Sequence, residues 1–330
     1  MEQSFKKITV LGGGTGTFVV LSGLKKYPID LAAIVTMMDS GGSTGRLRDQ
    51  LEVLPPGDLR QCLVALSEAP ALWRKLFLYR FENGDLQGHN FGNIFLSALE
   101  KVSDNYDEVI EMASYVLKTK GQVFPVTYNK TNLCAEYESG AVIKGEGNID
   151  EDNKEKSRIK RAFLEPDVEP CEQSVKRLQE SDVIIISPGD LYTSIIPILL
   201  VKGIKETIQQ SKAKIIYILN LMTKSGQTTG YTALDHIYDL TYYLGKTPDT
   251  VIVNNGEIPQ NILQWYQSHN ERLVKNDLFK SGFKGNIIEE DVVDSSKYIE
   301  SKADVLTRSI LRHSIEKLTL KLFDLIQKYA

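Results

Sequence analysis

Short apolar runs alternate with longer amphipathic stretches along most of this chain. The runs are rich in Ile and Val and end in Gly, Ser, Asp or Asn, which is typical of buried parallel strands. They occupy residues 7–11, 31–36, 182–187, 214–219 and 250–253. Helical patterns lie near residues 15–26, 58–68, 91–101, 106–118 and 192–210. The alternation predicts an α/β fold, Rossmann-like and doubly wound, with a mostly parallel sheet.

The stretch at residues 122–170 departs from this rhythm. Apolar and polar residues alternate from Leu133 to Ile143, and charged residues dominate from Asp150 to Arg161. The alternation predicts a small β-hairpin insertion, and the charged run predicts a mobile tip. We therefore expect residues 1–121 and 171–330 to form the two halves of the Rossmann-like domain.

The C-terminal segment carries an apolar stripe. Its members, spaced alternately four and three residues apart, are Leu311, Ile315, Leu318, Leu322 and Leu325. This spacing predicts one apolar face on a terminal helix. Such a face requires burial, either within the chain or against another copy, and we expect a homo-oligomer, most simply a two-fold dimer.

Composition narrows the class of protein. Among 330 residues, 42% are hydrophobic and 25% are charged, which is ordinary for a globular protein. The net charge of -4 gives no general basic surface, so no nucleic-acid partner is predicted. The sequence contains neither a secretory signal pattern nor an apolar run of ~18 residues, which predicts a cytoplasmic protein without membrane insertion.

The first strand pattern runs directly into a glycine-rich loop. This loop is Gly12-Gly13-Gly14-Thr15-Gly16, and an apolar helix pattern follows it. Glycines let backbone amides approach a phosphate at the positive end of a helix. Thr17 occupies the place of the third glycine in the dinucleotide motif GxGxxG, and a P-loop ending is absent. A phosphate-bearing ligand is favoured here, with a purely structural tight turn as the alternative.

The second strand pattern ends in another glycine-rich loop, Asp39-Ser40-Gly41-Gly42-Ser43-Thr44-Gly45-Arg46. Asp39 is a candidate ligand for a Mg²⁺ that bridges phosphates, or for a ribose hydroxyl. Arg46 is a candidate partner for a phosphate, because its guanidinium forms paired hydrogen bonds. The alternative is an Asp39–Arg46 ion pair that holds the loop in place.

Two more segments place polar groups at predicted helix starts. Asp58 and Arg60 lie in Pro-Pro-Gly-Asp-Leu-Arg, where Asp58 also suits the helix cap. His89, Asn90 and Asn93 open the next helix pattern and offer hydrogen-bonding groups, with capping by Asn90 as a structural explanation. We include all five among the candidate ligand-binding residues.

The later strand patterns end in comparable loops. The segment Ser187-Pro188-Gly189-Asp190 supplies another group of backbone amides before a helix pattern. Asn220, Thr223 and Thr228 follow the next strand, and their amide and hydroxyl groups suit a base or a sugar. Catalytic triads and zinc sites are not indicated, since no Ser–His–Asp, Cys–His or HExxH set occurs at recognised spacing.

These motifs together resemble the family that contains the gluconeogenesis factors (YvcK-like proteins) and the 2-phospho-L-lactate transferases (CofD-like enzymes). The resemblance covers nearly the whole chain and rests on the order and spacing of the motifs. They are GGGTG at 12–16, DSGGSTGRLR at 39–48, PPGDLRQCL at 55–63, GHNFGN at 88–93, SPGDLYTSIIP at 187–197, and NLMT with GYTALDH at 220–236. The second and third motifs place the sequence closer to the gluconeogenesis-factor branch.

The resemblance implies binding of a UDP-sugar, with UDP-N-acetylglucosamine as the leading candidate. It further implies a regulator, without turnover, that links carbon flux to cell-wall synthesis and cell shape during gluconeogenic growth, with a cell-wall enzyme as its partner. No cofactor is required, apart from Mg²⁺ that accompanies the phosphates. An Arg-His pair precedes the terminal helix in gluconeogenesis factors, which adds Arg312 to the candidate ligand contacts and, less directly, His313.

The transferase branch gives a second hypothesis. Its members move a phospholactyl-type group from a guanosine diphosphate donor to a deazaflavin with Mg²⁺, and here Asp39 and Asp190 would hold the metal. Two residues depart from the family pattern, since Ser40 stands where an acidic or amide residue is common and Gln227 stands where Glu is common. An NAD-dependent oxidoreductase ranks third, because the third glycine of its motif is missing.

Overall fold

A seven-stranded parallel sheet and a three-stranded antiparallel sheet form the framework of the computed structural model, which describes residues 5–150, 155, 157–294 and 310–329. The strands, in chain order, are β1 Lys7–Leu11, β2 Asp30–Val35, β3 Gln122–Pro125, β4 Asn132–Tyr137, β5 Val142–Lys144, β6 Ile159–Glu165, β7 Val183–Ile186, β8 Lys214–Ile218, β9 Thr250–Asn254 and β10 Asn286–Glu290. No helix among the described residues is long and apolar enough to cross a membrane.

The helices surround the two sheets and supply most of the loops discussed below. In chain order they are α1 Gly14–Leu24, α2 Gly42–Leu51, α3 Gly57–Leu66, α4 Ala71–Leu78, α5 Phe91–Val102, α6 Tyr106–Leu117, α7 Glu146–Asp150, α8 Glu172–Glu180, α9 Ile196–Leu199, α10 Ile204–Gln210, α11 Ala233–Leu244, α12 Gln260–Ser268 and α13 Ile315–Tyr329. A π-helical turn lies at Leu191–Ile195, and a 3-10 turn lies at Leu278–Lys280.

The parallel strands lie in the order β10-β9-β8-β7-β1-β2-β3. From β1 the chain builds outward through β2 to β3, and it later returns to β7, beside β1, and continues to β10 in the other direction. In doubly wound sheets, ligands bind in the crevice outside the carboxyl ends of the strands at such a reversal. This topology confirms the predicted Rossmann-like α/β fold, and it places the crevice between β1 and β7.

The central strands are buried, as their continuous apolar sequences predict. All four residues of β7 are buried, and Leu11 in β1 lies opposite both Ile34 in β2 and Ile186 in β7. Away from the crevice, Arg177 of α8 joins β1 to β2, because its Nη1 donates to Asp30 Oδ1 at 2.8 Å and its Nε donates to Thr9 Oγ1 at 3.0 Å. The central strands are therefore fixed independently of the loops that form the crevice.

The antiparallel sheet, in the order β5-β4-β6, forms most of the insertion. Its β4–β5 hairpin overlaps the alternating residues that predicted a hairpin, and β6 adds a strand on the other side of β4. In contrast, β3 pairs with β2 in the main sheet, although the boundary predicted at residue 122 assigns it to the insertion. Residues 151–154 and 156 of the predicted mobile tip lie outside the described residues.

The single helix that the sequence predicts near residues 192–210 is wrong. The segment forms the π-helical turn, α9 and α10 in succession. Gly203 separates α9 from α10 with a left-handed φ of 76°, a conformation that a helix interior does not contain. Periodicity alone did not reveal this break, because apolar residues are frequent on both sides of Gly203.

The apolar stripe of the terminal helix is covered by the chain itself. Leu318 and Leu322 are fully buried in the main hydrophobic core. The helix α13 packs against α1, where Thr319 lies close to Gly23, and the ring of Phe323 stacks at 4.0 Å on that of Tyr27 just beyond α1. Burial of the stripe therefore needs no second copy, and the homo-oligomer stays a prediction that this stripe does not support.

The packing of α13 can be tested with a matched pair of variants. We expect Leu322→Ala to lower the free energy of unfolding by about 2–5 kcal/mol, because a fully buried side chain would leave a cavity. Leu320→Ala is the control, since Leu320 is 56% exposed on the same helix, and it should change stability by less than about 0.5 kcal/mol. Urea unfolding measures both values, and equal effects of the two variants would contradict the observed packing.

Candidate functional site

A cavity of about 650 Å³ lies at the carboxyl ends of the strands, where β1 and β7 meet. We name its loops for reference as the first loop (residues 12–16), the second loop (39–46), the third loop (187–190) and the fourth loop (220–228). All four loops contribute to the cavity wall, together with residues of α3, α7 and α12 and the segment 311–313. The cavity therefore occupies the crevice that the doubly wound topology creates.

The first and third loops are in close backbone contact. A Cβ atom at Gly16 would lie 1.7 Å from the carbonyl oxygen of Pro188, so only glycine permits this approach. Ser187 Oγ lies 2.7 Å from Thr17 Oγ1 and also donates to the carbonyl oxygen of Leu11 at 3.1 Å. Ser187 therefore holds the two loops together, and the start of α1 faces the cavity beside the third loop.

Asp58 connects α3 to the first loop, and its predicted role as a helix cap is wrong. Helix α3 begins at Gly57, so Asp58 lies in the first helical turn, and Pro56 precedes the helix. The Oδ1 atom of Asp58 accepts a hydrogen bond from the backbone N–H of Gly14 at 2.7 Å. Gly14 has a left-handed φ of 66°, a conformation that favours glycine at this turn.

The second loop is built around hydrogen bonds from its own backbone and from the two residues that precede α5. Asp39 Oδ1 accepts from the N–H of Gly41 at 2.9 Å. Ser43 Oγ lies 3.2 Å from His89 Nδ1 and accepts from the N–H of Asn90 at 3.2 Å. Asn90 also caps α5, as expected, since its side chain accepts from the N–H of Asn93. These bonds fix the loop against the start of α5.

Several polar side chains that suited ligand contacts are engaged by neighbouring backbone. Asn220 accepts from the N–H of Gly189 at 3.1 Å and donates to its carbonyl oxygen at 2.7 Å, so its amide joins the third and fourth loops. Thr223 Oγ1 accepts from the N–H of Arg272, and Thr228 Oγ1 accepts from the N–H of Lys224, both at 2.9 Å. These groups make the loops rigid.

The structure brings most of the sequence-predicted residues to one cavity. Those that line it are Gly13, Gly14, Thr15, Gly16, Asp39, Gly41, Ser43, Asp58, Arg60, Asn93, Gly189, Asp190, Asn220, Thr223 and Arg312. Those outside the lining are Gly12, Gly42, Arg46, His89, Asn90, Ser187 and Thr228. Arg46 instead donates from Nη2 to the carbonyl oxygen of Gln87 at 3.0 Å. Ligand contact by the lining residues stays a prediction.

The insertion contributes a part of the cavity that the sequence did not predict. Glu146 and Asp150, at the two ends of α7, both line the cavity. Glu146 Oε2 accepts from the N–H of Ser40 at 3.1 Å, and Ser40 Oγ accepts from the N–H of Gly147 at 2.8 Å. At the other end, Gln227 Nε2 donates to Asp150 Oδ1 at 2.9 Å. The insertion therefore closes over the second and fourth loops.

Carboxylates dominate the electrostatics around α7. Burial raises the pKa of Glu146 well above its usual range, and the nearby charges of Asp39, Asp150 and Asp58 raise it further. Burial also raises the pKa of Asp190 to about 6, with Lys224 opposing this shift. Lys224 Nζ lies 3.2 Å from Asp150 Oδ1. The sequence did not predict Lys224 as a cavity residue, because its carboxylate partners come from distant segments.

His313 lines the cavity, next to Arg312 in the chain. Burial lowers the pKa of His313 to about 4, although a hydrogen bond to the backbone of Leu219 opposes this shift. The imidazole is therefore neutral at physiological pH. Arg312 is consequently the member of this pair that carries a positive charge to the cavity.

The fold and the position of this cavity define a Rossmann-like α/β protein with glycine-rich loops at the reversal point of its sheet. The family model for 2-phospho-L-lactate transferase CofD matches residues 8–293. The gluconeogenesis factor of Bacillus subtilis is 40% identical over 325 residues, covering 98% of each chain. That of Listeria innocua is 44% identical over 265 residues, covering 79% of this chain and 81% of the relative.

A solved structure agrees with these relatives. The crystal structure of a UPF0052 family member from Bacillus halodurans superposes with a TM-score of 0.87 and 38% identity, covering 97% of this chain and 99% of that chain. The chain therefore belongs to the CofD family, in the group whose relatives are named gluconeogenesis factors. The family resemblance stated from the motifs is confirmed.

The raised pKa of Asp190 predicts a pH-dependent stability difference. The folded state favours the protonated carboxyl, so this group's contribution to stability is complete below about pH 4 and is lost as the pH rises through about 6. Asp190→Asn stays neutral, and we expect its free energy of unfolding to exceed that of the wild type by about 1–3 kcal/mol near pH 8. The difference should shrink towards pH 4.

Urea unfolding across this pH range measures the effect. Asp49→Asn is the control, because Asp49 lies on the surface with 68% of its side chain exposed, and it should change stability by less than about 0.5 kcal/mol at each pH. A difference between Asp190→Asn and the wild type that does not vary with pH would contradict the environment described for Asp190.

Proposed function

We propose that this protein binds a nucleotide sugar of the UDP-N-acetylglucosamine type in the cavity at the sheet reversal, with the diphosphate against the first and third loops. The observation that carries the proposal is the contact between Gly16 and Pro188, which brings the start of α1 and the third loop to one point. Backbone amides at a helix start bind phosphates without a lysine or arginine. The cavity volume of about 650 Å³ suits a ligand of this size.

We further propose a regulatory role in the cytoplasm. The relatives that cover nearly the whole chain are named gluconeogenesis factors, which supports a role in carbon metabolism. Binding of a cell-wall precursor would then report carbon supply, and the bound protein would act on carbon flux into cell-wall synthesis and on cell shape through a cell-wall enzyme partner. The engagement of Ser187, Asn220 and Thr223 by neighbouring backbone supports a preorganised binding site, and in this proposal the site binds its ligand without turnover.

A Mg²⁺-dependent phospholactate-type transferase is the second candidate function. Two observations favour it, namely the match to the CofD family model and the carboxylates of Asp39 and Asp58, whose charges help to raise the pKa of Glu146 at the cavity. Within the described residues no set of three His, Cys, Asp or Glu side chains is placed to hold a metal. In this proposal Asp39 and the ligand's phosphates would hold the Mg²⁺ together, since proteins commonly bind this ion through one or two carboxylates and substrate phosphates.

A thermal-shift panel separates the two functions. A ligand that binds only the folded protein raises its apparent melting temperature. We expect UDP-N-acetylglucosamine to give the largest shift among UDP-sugars, GDP derivatives, NAD and FMN. A larger shift with GDP or a deazaflavin, dependent on Mg²⁺, would favour the transferase instead.

Blocking the first loop should abolish binding while the fold is retained. We expect Gly14→Leu to eliminate detectable binding of UDP-N-acetylglucosamine in titration calorimetry, because the new side chain would occupy the cavity beside Asp58. Gly203→Leu is the matched control, since Gly203 has a similar left-handed φ of 76°, has open space around it and is not among the residues that line the cavity. Unchanged affinity in Gly14→Leu would remove the diphosphate from this loop.

Arg312 should contribute a charge-assisted contact to the ligand. A hydrogen bond to a charged group is worth about 1.5–3 kcal/mol, so Arg312→Ala should weaken binding of UDP-N-acetylglucosamine about tenfold or more. The melting temperature of the unliganded protein should not change. Lys317→Ala, which removes a surface cation of α13 paired with Asp291, is the control. Unchanged affinity, or a less stable unliganded protein, would make Arg312 a structural residue.

A further inference from the structure

The two ends of the cavity differ in chemistry. The wall below β2 consists of polar side chains from the second loop, α3 and α5, among them Ser43, Gln61 and Asn93. The wall below β8 and β9 contains Leu221 and Met222 of the fourth loop with Trp265 and Tyr266 of α12. One end therefore offers hydrogen-bonding groups, whereas the other offers apolar and aromatic surface.

These two ends lie far apart along the sheet edge. Three strands, namely β1, β7 and β8, separate β2 from β9. Adjacent strands are about 4.8 Å apart, so the carboxyl ends of β2 and β9, which lead to the second loop and to α12, are separated by on the order of 19 Å. The first and third loops follow β1 and β7, between these ends. An elongated ligand with its phosphates on those loops would therefore reach both walls.

The apolar wall is a hydrophobic cluster separate from the main core. Its buried members include Leu221, Met222, Tyr266 and Leu311, and the half-buried Trp265 packs against them. The indole ring meets Tyr266 edge to face at 4.9 Å, and the ring of His269 lies 4.2 Å away at an angle of 33°. An aromatic ring already lies beside the indole, which is the arrangement that a stacked heterocycle would adopt.

We propose that the cavity binds its nucleotide in one direction, with the base against the apolar wall at Trp265 and the sugar at the polar wall beside Gln61. The inference rests on the proposed function and adds the orientation of the ligand. A planar base buries its faces against apolar and aromatic side chains, and stacking on an aromatic side chain is largely independent of the base. Sugar hydroxyls instead need the donors and acceptors that the β2 end supplies.

Titration calorimetry with two ligands tests the orientation. We expect Trp265→Ala to weaken UDP-N-acetylglucosamine and UDP by the same factor, about tenfold or more, because both contain the base. Gln61→Ala should weaken UDP-N-acetylglucosamine several-fold and leave UDP unchanged, because only the former carries the sugar. Trp73→Ala, at the other tryptophan and outside the cavity lining, should change neither affinity. Trp265→Phe, which keeps an aromatic ring, should restore most of the affinity.

A second measurement does not depend on removing Trp265. The chain contains two tryptophans, so Trp73→Phe leaves Trp265 as the only one. We expect saturation of this variant with UDP to change the tryptophan emission, because the base would cover the indole. Emission that stays constant at saturation would overturn the inference, even where Trp265→Ala fails to fold.

The remaining outcomes separate this inference from the proposed function. A wild-type chain that binds UDP, together with a folded Trp265→Ala variant of equal affinity, overturns the orientation and leaves nucleotide-sugar binding intact. The reverse pattern, in which Trp265→Ala weakens only the sugar nucleotide and Gln61→Ala weakens UDP, also overturns the orientation. A wild-type chain that binds neither ligand overturns the proposed function and this inference with it.

Discussion

The backbone contact between Gly16 and the carbonyl oxygen of Pro188 determines the shape of the whole cavity. It joins the loop after β1 to the loop after β7, which are neighbours only because the sheet order reverses between those strands. Any side chain at residue 16 would separate the loops, because its Cβ would lie 1.7 Å from that oxygen. The Thr17–Ser187 hydroxyl pair reinforces the contact at 2.7 Å. This contact between residues 16 and 188 therefore positions α1 and the third loop. Asn220 extends the effect to the fourth loop, because its side chain bonds to Gly189.

The sequence predicted those parts of the fold and of the site that depend on local patterns. Buried strands such as β7 are continuous apolar runs, and glycine-rich loops before helices mark the carboxyl edge of the sheet. The Rossmann-like fold and the first, second and third loops could therefore be predicted from the sequence. The parts that were missed depend on contacts between distant segments. Glu146, Asp150 and Trp265 have no local signature, because each reaches the cavity only through the placement of α7 or α12. Asp58 was misassigned for the same reason, since its partner Gly14 lies in another loop.

Ser40 and Gln227, the two residues expected to depart from the family pattern, contact the same element. Ser40 Oγ accepts from the N–H of Gly147 at one end of α7, and Gln227 Nε2 donates to Asp150 at the other. An amide at residue 227 can donate to a carboxylate, whereas a glutamate there would repel it. The hydroxyl at residue 40 likewise provides the acceptor for the backbone N–H of Gly147, whose Cβ position is in ordinary contact with the second loop. Ser40 and Gln227 therefore both help to hold the insertion close over the cavity.

That seating has an electrostatic consequence for any phosphate ligand. The cavity is lined by more carboxylates than cations, the carboxylates being Asp39, Asp58, Glu146, Asp150, Asp190 and Glu271 and the cations Arg60, Arg80, Lys224 and Arg312. A diphosphate adds two negative charges to this set, which is unfavourable in a partly buried site unless positive charge accompanies it. Two sources would supply this charge. The raised pKa values of Glu146 and Asp190 allow proton uptake, and a Mg²⁺ at Asp39 would neutralise the same charge. Because both sources would act on the carboxylates around α7, we expect the insertion to influence how a phosphate ligand binds in the cavity.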